Sequence, residues 1–343
     1  MASGLLLAIC CGFCWGIFLA PIRILKAWEW ENIWIVWCVF ATLVGPWAIA
    51  FWAVPHFVEV NQDVGARILL LTSAVGAVSG MAGFLYSYTV PVLGLGLATS
   101  LNAGASMAMS MLPLVALHRE TILHRSGVLT IFGVILSAAG TWLCGTGGTL
   151  REKELDHQKS PAESDNTRPT FFRCLVLAIV AGAIGSGMNI ALAFPNPIFD
   201  VARKYGSSSF GAATAFLAPY LAGAFFSNVA YAGRLLRKNN TFSHFFASGS
   251  LRCLLCSIFM AALFLLGEYS YAGAVALLGP FGAVITWGLS AAAMILTSGL
   301  WDLFQGEWRR QAARAMALGV GTLILAVVTL GLAQYFHQID KLS

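Results

Sequence analysis

Ten predominantly apolar stretches, each long enough to cross a bilayer as a helix, leave this chain of 343 residues few ways to fold. They lie near 3–25, 33–54, 66–89, 92–117, 127–148, 171–193, 209–234, 249–272, 277–304 and 314–336. A hydrocarbon core takes roughly 20 apolar residues per helical span, and because it holds no water, every backbone N–H and C=O must be paired within the helix. The expectation is an all-α membrane protein with ten transmembrane helices. Only 10% of the residues are charged, against about 25% in a soluble domain, so there is too little polar surface to face water. The first stretch has no basic segment ahead of it and is followed by Arg23 and Lys26, so it reads as a retained span and not a signal peptide.

The net charge of +5 is modest, and its placement is what informs. The odd-numbered connections hold Arg23, Lys26, Arg151, Lys153, Lys159, Arg168, Arg173, Arg234, Arg237, Lys238, Arg252, Arg309, Arg310 and Arg314, fourteen of the twenty basic residues. Cytoplasmic loops collect Lys and Arg, so these connections are expected inside and both termini outside. Trp28, Trp30, Trp34 and Trp37 bracket the first connection and are expected in an interfacial aromatic belt. The one long hydrophilic stretch, "LREKELDHQKSPAESDNTRPT" at 150–170, reads as a cytoplasmic linker between residues 1–149 and 171–343, with five spans on either side.

The two halves share landmarks. "YSYTVPVLGLG" (86–96) returns as "YSYAGAVALLG" (269–279), identical at six of eleven positions and 183 residues later. Glu120 and Glu307 are 187 apart, Pro46 and Pro219 are 173 apart, and Pro21 and Pro195 are 174 apart. Five spans is an odd number, so the second copy enters the membrane from the opposite side. Inverted repeats of this kind are typical of secondary transporters, which hold their substrate near the midplane between the halves and alternate access from either side.

Other classes lack their residues. The eight cysteines lie in apolar stretches, and the CxxC spacings Cys11/Cys14 and Cys253/Cys256 have no second pair or His cluster beside them, so they read as small buried hydrophobes. No nucleophile–base pair, metal cluster or phosphate loop suggests an enzyme, and no basic run suggests nucleic acid.

The stretches "APIRILKAWEWENIW" (20–34), "GPWAIAFW" (45–52) and "GLWDLFQGEWRR" (299–310), with the five-plus-five plan, resemble the L-rhamnose/proton symporter family of the drug/metabolite transporter superfamily. Gly306-Glu307 before span ten, with Glu120 before span five, is similar to that superfamily's repeat signature. The resemblance covers nearly the whole chain. It implies two inverted five-helix repeats in the drug/metabolite transporter fold, uptake of L-rhamnose across a bacterial inner membrane, and the proton as coupling ion without a cofactor. Sodium stays open as coupling ion. Two other readings also stay open: a metabolite or amino-acid exporter of the same superfamily, and a non-transporting membrane sensor or scaffold.

A deoxyhexose offers hydroxyls to hydrogen bond and an apolar face to stack upon, so its site should join amides and hydroxyls to aromatic rings. Polar groups inside spans are costly unless they face the bundle or a wet cavity. Trp15, Asn102, Ser106, Asn189, Tyr220 and Thr286 are the candidate sugar-binding residues, with Asn189 at the repeat position of Trp15. Asn228, nearer a span end, reads as structural. Proton coupling needs a titratable group within reach of the site. The six histidines fall in loops or at span ends, whereas Glu268 stands about one turn inside span eight after a long uncharged run. A charge there costs up to ~3 kcal/mol at the helix centre, which suits Glu268 to carrying a proton. Tyr86, Tyr88, Tyr269 and Tyr271 fall at opposite mouths of one pathway and are the candidate gates.

Overall fold

A computed structural model describes residues 2–23, 25, 27–110, 124–156, 161–193, 196–278, 282–304 and 310–340, and these are helical with no strand among them. Helix α1 (Ala2–Ile17) leads through a 3-10 turn, Ala20–Arg23, to α2 (Trp30–Cys38). A π-helical stretch, Val39–Val44, joins α2 to α3 (Gly45–Ala53), where Pro46 lacks the N–H that a regular ladder would use. Then follow α4 (Phe57–Val64), α5 (Ala66–Leu93), α6 (Leu95–Ser110), α7 (Arg125–Asp156), α8 (Pro161–Gly185) and α9 (Gly187–Ala193). The order closes with α10 (Pro197–Lys204), α11 (Ser209–Asn239), α12 (Ser250–Leu278), α13 (Gly282–Phe304) and α14 (Arg310–Asp340).

Seven stretches among the described residues are long and apolar enough to cross a membrane: Ala2–Ile22, Trp30–Ala53, Ala66–Leu93, Arg125–Gly148, Ser209–Asn239, Ser250–Leu278 and Gln311–Ala333. Phe171–Gly185 and Ile285–Trp301 are shorter apolar helices. The chain is therefore a multi-pass membrane protein.

Local chemistry sets the breaks. Gly65 and Gly94 take φ of +80° and +81°, a region that suits glycine, and separate α4 from α5 and α5 from α6. The Ser208 hydroxyl accepts from Gly211 N at 3.1 Å and starts α11, while Asn240 in the left-handed region ends it. Asn196 accepts from Ile198 N and Pro197 occupies the first turn, which starts the amphipathic α10.

Several boundaries differ from the sequence reading. The "YSY" phrases do not end their helices: α5 continues through Pro91 to Leu93, and α12 runs ten residues past Glu268 to Leu278. The stretch 150–170 is helical from both sides, since Glu, Lys and Leu favour helix up to Asp156 and Pro161 opens α8. The short helices α4 and α10 lie in connections between the expected spans. Glu120, Pro195, Gly306 and Glu307 lie outside the described residues.

Packing is dominated by close helix pairs. The pairs are α7 with α14, α5 with α11, α1 with both α13 and α12, α8 with both α5 and α6, α6 with α13, and α2 with α11 and α12. Small residues let several of them touch backbone to backbone, the usual way helices associate in lipid. A Cβ on Gly76 would collide with the Tyr220 carbonyl, and one on Gly223 with the Ser73 carbonyl, so α5 and α11 meet directly. Gly12 lies likewise against the Ser290 carbonyl between α1 and α13, and Gly182 against the Asn102 carbonyl between α8 and α6.

Candidate functional site

Where these pairs converge they leave a cavity of about 160 Å³. One water needs roughly 10–15 Å³, so the space suits a small organic molecule. Trp15 of α1 and Phe18 just after it, Trp34 and Trp37 of α2, and Thr42 of the π stretch form one side. Ser79, Gly80, Gly83 and Tyr86 of α5 and Asn102 and Ser106 of α6 form another. Met188 of α9, Tyr220, Leu221 and Asn228 of α11, Phe264 and Glu268 of α12, and Trp287 and Met294 of α13 complete it.

Two aromatic clusters stand in its wall. In the first, Trp15 stacks on Tyr271 at 5.8 Å and meets Trp287 at 5.5 Å. Gly267 makes room: a Cβ there would stand 2.6 Å from Trp15 Nε1, so the glycine before Glu268 lets the indole lie against α12. In the second, Trp30, Trp34 and Trp37 form a ladder along α2, with centroids 5.4 and 4.2 Å apart and planes within about 21°. Phe18 and Phe264 flank Trp37 at 5.9 and 5.0 Å.

The polar groups are few and specific. The indole N–H groups of Trp15, Trp37 and Trp287 and Oε2 of Glu268 are buried without a hydrogen-bond partner among the described residues. A buried donor without a partner is expensive, and such groups at a cavity wall are ready for a ligand. Trp34 differs. Its Nε1 donates to Asn228 Oδ1 at 2.9 Å, while Asn228 Nδ2 donates to Gly80 O and Ala224 O, both at 2.8 Å. Among the described lining residues Glu268 is the one formal charge, with no Lys, Arg or His beside it.

Six of the residues singled out from sequence therefore come together: Trp15, Asn102, Ser106, Tyr220, Glu268 and Tyr86. Thr286 is fully buried one residue before Trp287 but does not reach the cavity. Asn189 lies on α9, and its side chain is outside the described residues. Of the tyrosines, Tyr86 pairs with Thr99 Oγ1 at 2.6 Å, Tyr269 donates to Pro46 O at 3.5 Å, Tyr271 is 0% exposed, and Tyr88 is 44% exposed. Glu268 is 5% exposed and far from its helix end, deeper than its position in an apolar run suggested.

Sequence reasoning missed Phe18, Trp34, Trp37, Ser79 and Phe264, and assigned Trp28, Trp34 and Trp37 to an interface. All three tryptophans are buried instead. Their signal was present: positions 30, 34 and 37 follow the i, i+4, i+7 spacing of one helix face. Asn228 is structural, as expected, and also part of the wall.

The ends of α11 are tied by polar contacts. At one end, buried Glu31 accepts from Asn239 Nδ2 at 2.9 Å and Thr241 Oγ1 at 2.8 Å, and the Trp28 indole donates to Ser250 Oγ at 3.1 Å. At the other end, the Tyr205 hydroxyl donates to Asp63 Oδ2 at 2.8 Å between α10 and α4, and that bond holds the phenol above its usual pKa. All eight cysteines are free thiols, and no cluster of three potential metal ligands occurs among the described residues.

Comparison with known proteins supplies the family. A family model described as L-rhamnose-proton symport protein (RhaT) matches residues 2–334. The L-rhamnose-proton symporter of Klebsiella pneumoniae (strain 342) is 25% identical over 329 residues, 92% of this chain and 94% of that protein. Its counterpart in Mannheimia succiniciproducens is 24% identical with the same coverage. That of Salmonella gallinarum is 25% identical over 326 residues, 92% of this chain and 93% of that protein.

Proposed function

The chain belongs to the L-rhamnose-proton symport protein family, and from that membership we propose that it imports a neutral deoxyhexose, L-rhamnose first, together with a proton by alternating access. The carrying observation is the chemistry of the cavity. Three indole N–H donors, stacked aromatic faces and one carboxylate, without a cation, suit a polyol with an apolar face. An organic acid would bring a carboxylate into a site whose one formal charge among the described lining residues is negative, which disfavours an exporter of such acids.

In this reading Trp15, Asn102, Ser106 and Tyr220 contact the sugar, with Asn189 and Thr286 as the remaining candidates. Glu268 carries the proton in a place where sugar and proton bind side by side, and sodium has no cluster of carboxylates to hold it among the described residues. No cofactor is needed. A charge moving down the membrane potential supplies about 2.3 kcal/mol per 100 mV, which drives accumulation.

The proposed architecture is ten spans in two inverted repeats, residues 1–149 and 171–343 joined through 150–170, in a bacterial inner membrane with both termini periplasmic. Support comes from the packing pairs: exchanging the first five spans for the second five turns α1–α13 into α8–α6, α1–α12 into α8–α5, and α2–α12 into α11–α5, all of which occur. Tyr86 and Tyr88 belong to the inner mouth in this scheme and Tyr269 and Tyr271 to the outer.

Counterflow uptake in proteoliposomes, run with a panel of sugars and with or without a pH gradient, tests the reading. Rhamnose uptake that a gradient accelerates is expected. Failure of every sugar would sink it.

A further inference from the structure

The most fully satisfied side chain at the cavity wall is Asn228, and its geometry dictates the direction of its amide. Gly80 on α5 has no Cβ, and one built there would stand 2.6 Å from Ala224 Cα, so the α5 and α11 backbones approach closely. That approach brings Gly80 O within 2.8 Å of Asn228 Nδ2, which also donates to Ala224 O one turn back on its own helix. With both donors engaged by carbonyls, Oδ1 must point the other way. The opposite amide orientation would set N–H against the Trp34 N–H and oxygen against two carbonyls. Trp34 Nε1 therefore meets an acceptor whose position is fixed by two other helices.

Of the four tryptophans lining the cavity, Trp34 has its N–H satisfied, while those of Trp15, Trp37 and Trp287 have no partner among the described residues. Trp34, stacked between Trp30 and Trp37, thus offers the cavity an edge of its ring, and its donor serves to hold that ring. It stacks on Trp37 at 4.2 Å with 21° between the planes, so the tilt of one ring sets that of the next.

We infer that Asn228 is a positioning residue for the sugar site, locking Trp34 and, through the Trp34–Trp37 stack, the orientation of the indole wall that meets the substrate. This rests on the transport reading above. The chain of cause runs from a glycine contact between two helices to the pitch of an aromatic platform on a third. Asn228 contributes without offering its own amide to the sugar.

The test uses the full chain in lipid nanodiscs with three variants: Asn228→Leu, Trp34→Phe and the double substitution. L-rhamnose binding is read there together with near-ultraviolet circular dichroism, where stacked indoles couple, and transport kinetics are read for the same variants in proteoliposomes. Each single change is expected to weaken sugar binding about tenfold, the scale of a buried donor losing its partner, and to raise KM by more than it lowers the maximal transport rate. The double variant should be no worse than Trp34→Phe alone, because that change already removes the hydrogen bond that Asn228→Leu breaks. Trp34→Phe keeps an aromatic ring at the position and serves if Asn228→Leu folds poorly. Additive losses, or unchanged affinity in folded variants, would overturn the proposal. The dichroism decides independently of the sugar: Asn228→Leu should weaken the indole signal without ligand, and an unchanged signal rejects positioning. If wild-type protein binds no sugar but the signal still changes, the transport reading fails while Asn228 still sets the stack.

Discussion

Trp15 and Tyr271 stack with ring centroids 5.8 Å apart and planes 29° from parallel. The contact spans α1 and α12, and it places the Trp15 indole beside Gly267, next to the one formal charge among the described lining residues. Aromatic packing and the Glu268 carboxylate thus share one seam. Trp15→Phe leaves a ring to stand against Tyr271 and removes the N–H together with the pyrrole half of the indole. Sugar affinity should fall about tenfold with folding intact, as expected for a lost hydrogen bond of ~1 kcal/mol or somewhat more, and equilibrium binding measures it.

Glu268→Gln fixes the neutral state at every pH. Wild-type uptake should decline as the pH on the loading side rises, because the carboxyl then gives up the proton it must carry. The Gln variant should show a flat profile, keep sugar counterflow and lose accumulation driven by a pH gradient. Proton uptake recorded with a pH dye during rhamnose addition checks this, and unimpaired alkalinisation removes Glu268 from the coupling.

The tyrosine gates predict opposite behaviour at two positions. Cysteines replacing Tyr88 and Tyr271 should change their maleimide reactivity in opposite senses when sugar binds, since one mouth opens as the other closes. The starting points already differ, with Tyr88 44% exposed and Tyr271 fully buried. Parallel changes reject gating by these side chains.

Two glycines offer a matched pair. A Cβ on Gly76 would run into the Tyr220 backbone, whereas one on Gly233 meets nothing within 4 Å. Gly76→Ala should lower stability by ~1–3 kcal/mol, the usual cost of overpacking. Gly233→Ala should be neutral or stabilising by up to ~1 kcal/mol from helix propensity. Thermal melts in detergent distinguish them.

Hydropathy made the spans legible, because the cost of unpaired backbone in hydrocarbon leaves long apolar runs one regular structure. Trp15, Glu268 and Asn102 were legible as cavity-lining residues for a related reason: polar or amphipathic groups inside such runs need a cavity or a partner. The tryptophans of α2 were not. Burial and interface both suit an indole, and composition cannot tell them apart until helix spacing puts 30, 34 and 37 on one face. The role of Glu31 was not legible either, because its partners Asn239 and Thr241 lie more than 200 residues away. The short helices α4 and α10 hid in connections too brief to show a period, and the π stretch before Pro46 depends on a backbone ladder that no single residue announces.

The glycine contacts described for α5 with α11, α1 with α13 and α8 with α6 carry a mechanical consequence. Where two backbones touch, no layer of side chains lies between them to change rotamer and let one helix slide past the other. Each such pair acts as a single stiff lever. A machine assembled from levers has few degrees of freedom, so its motions are confined to the joints between them, and one of those joints is the space the aromatic rings enclose.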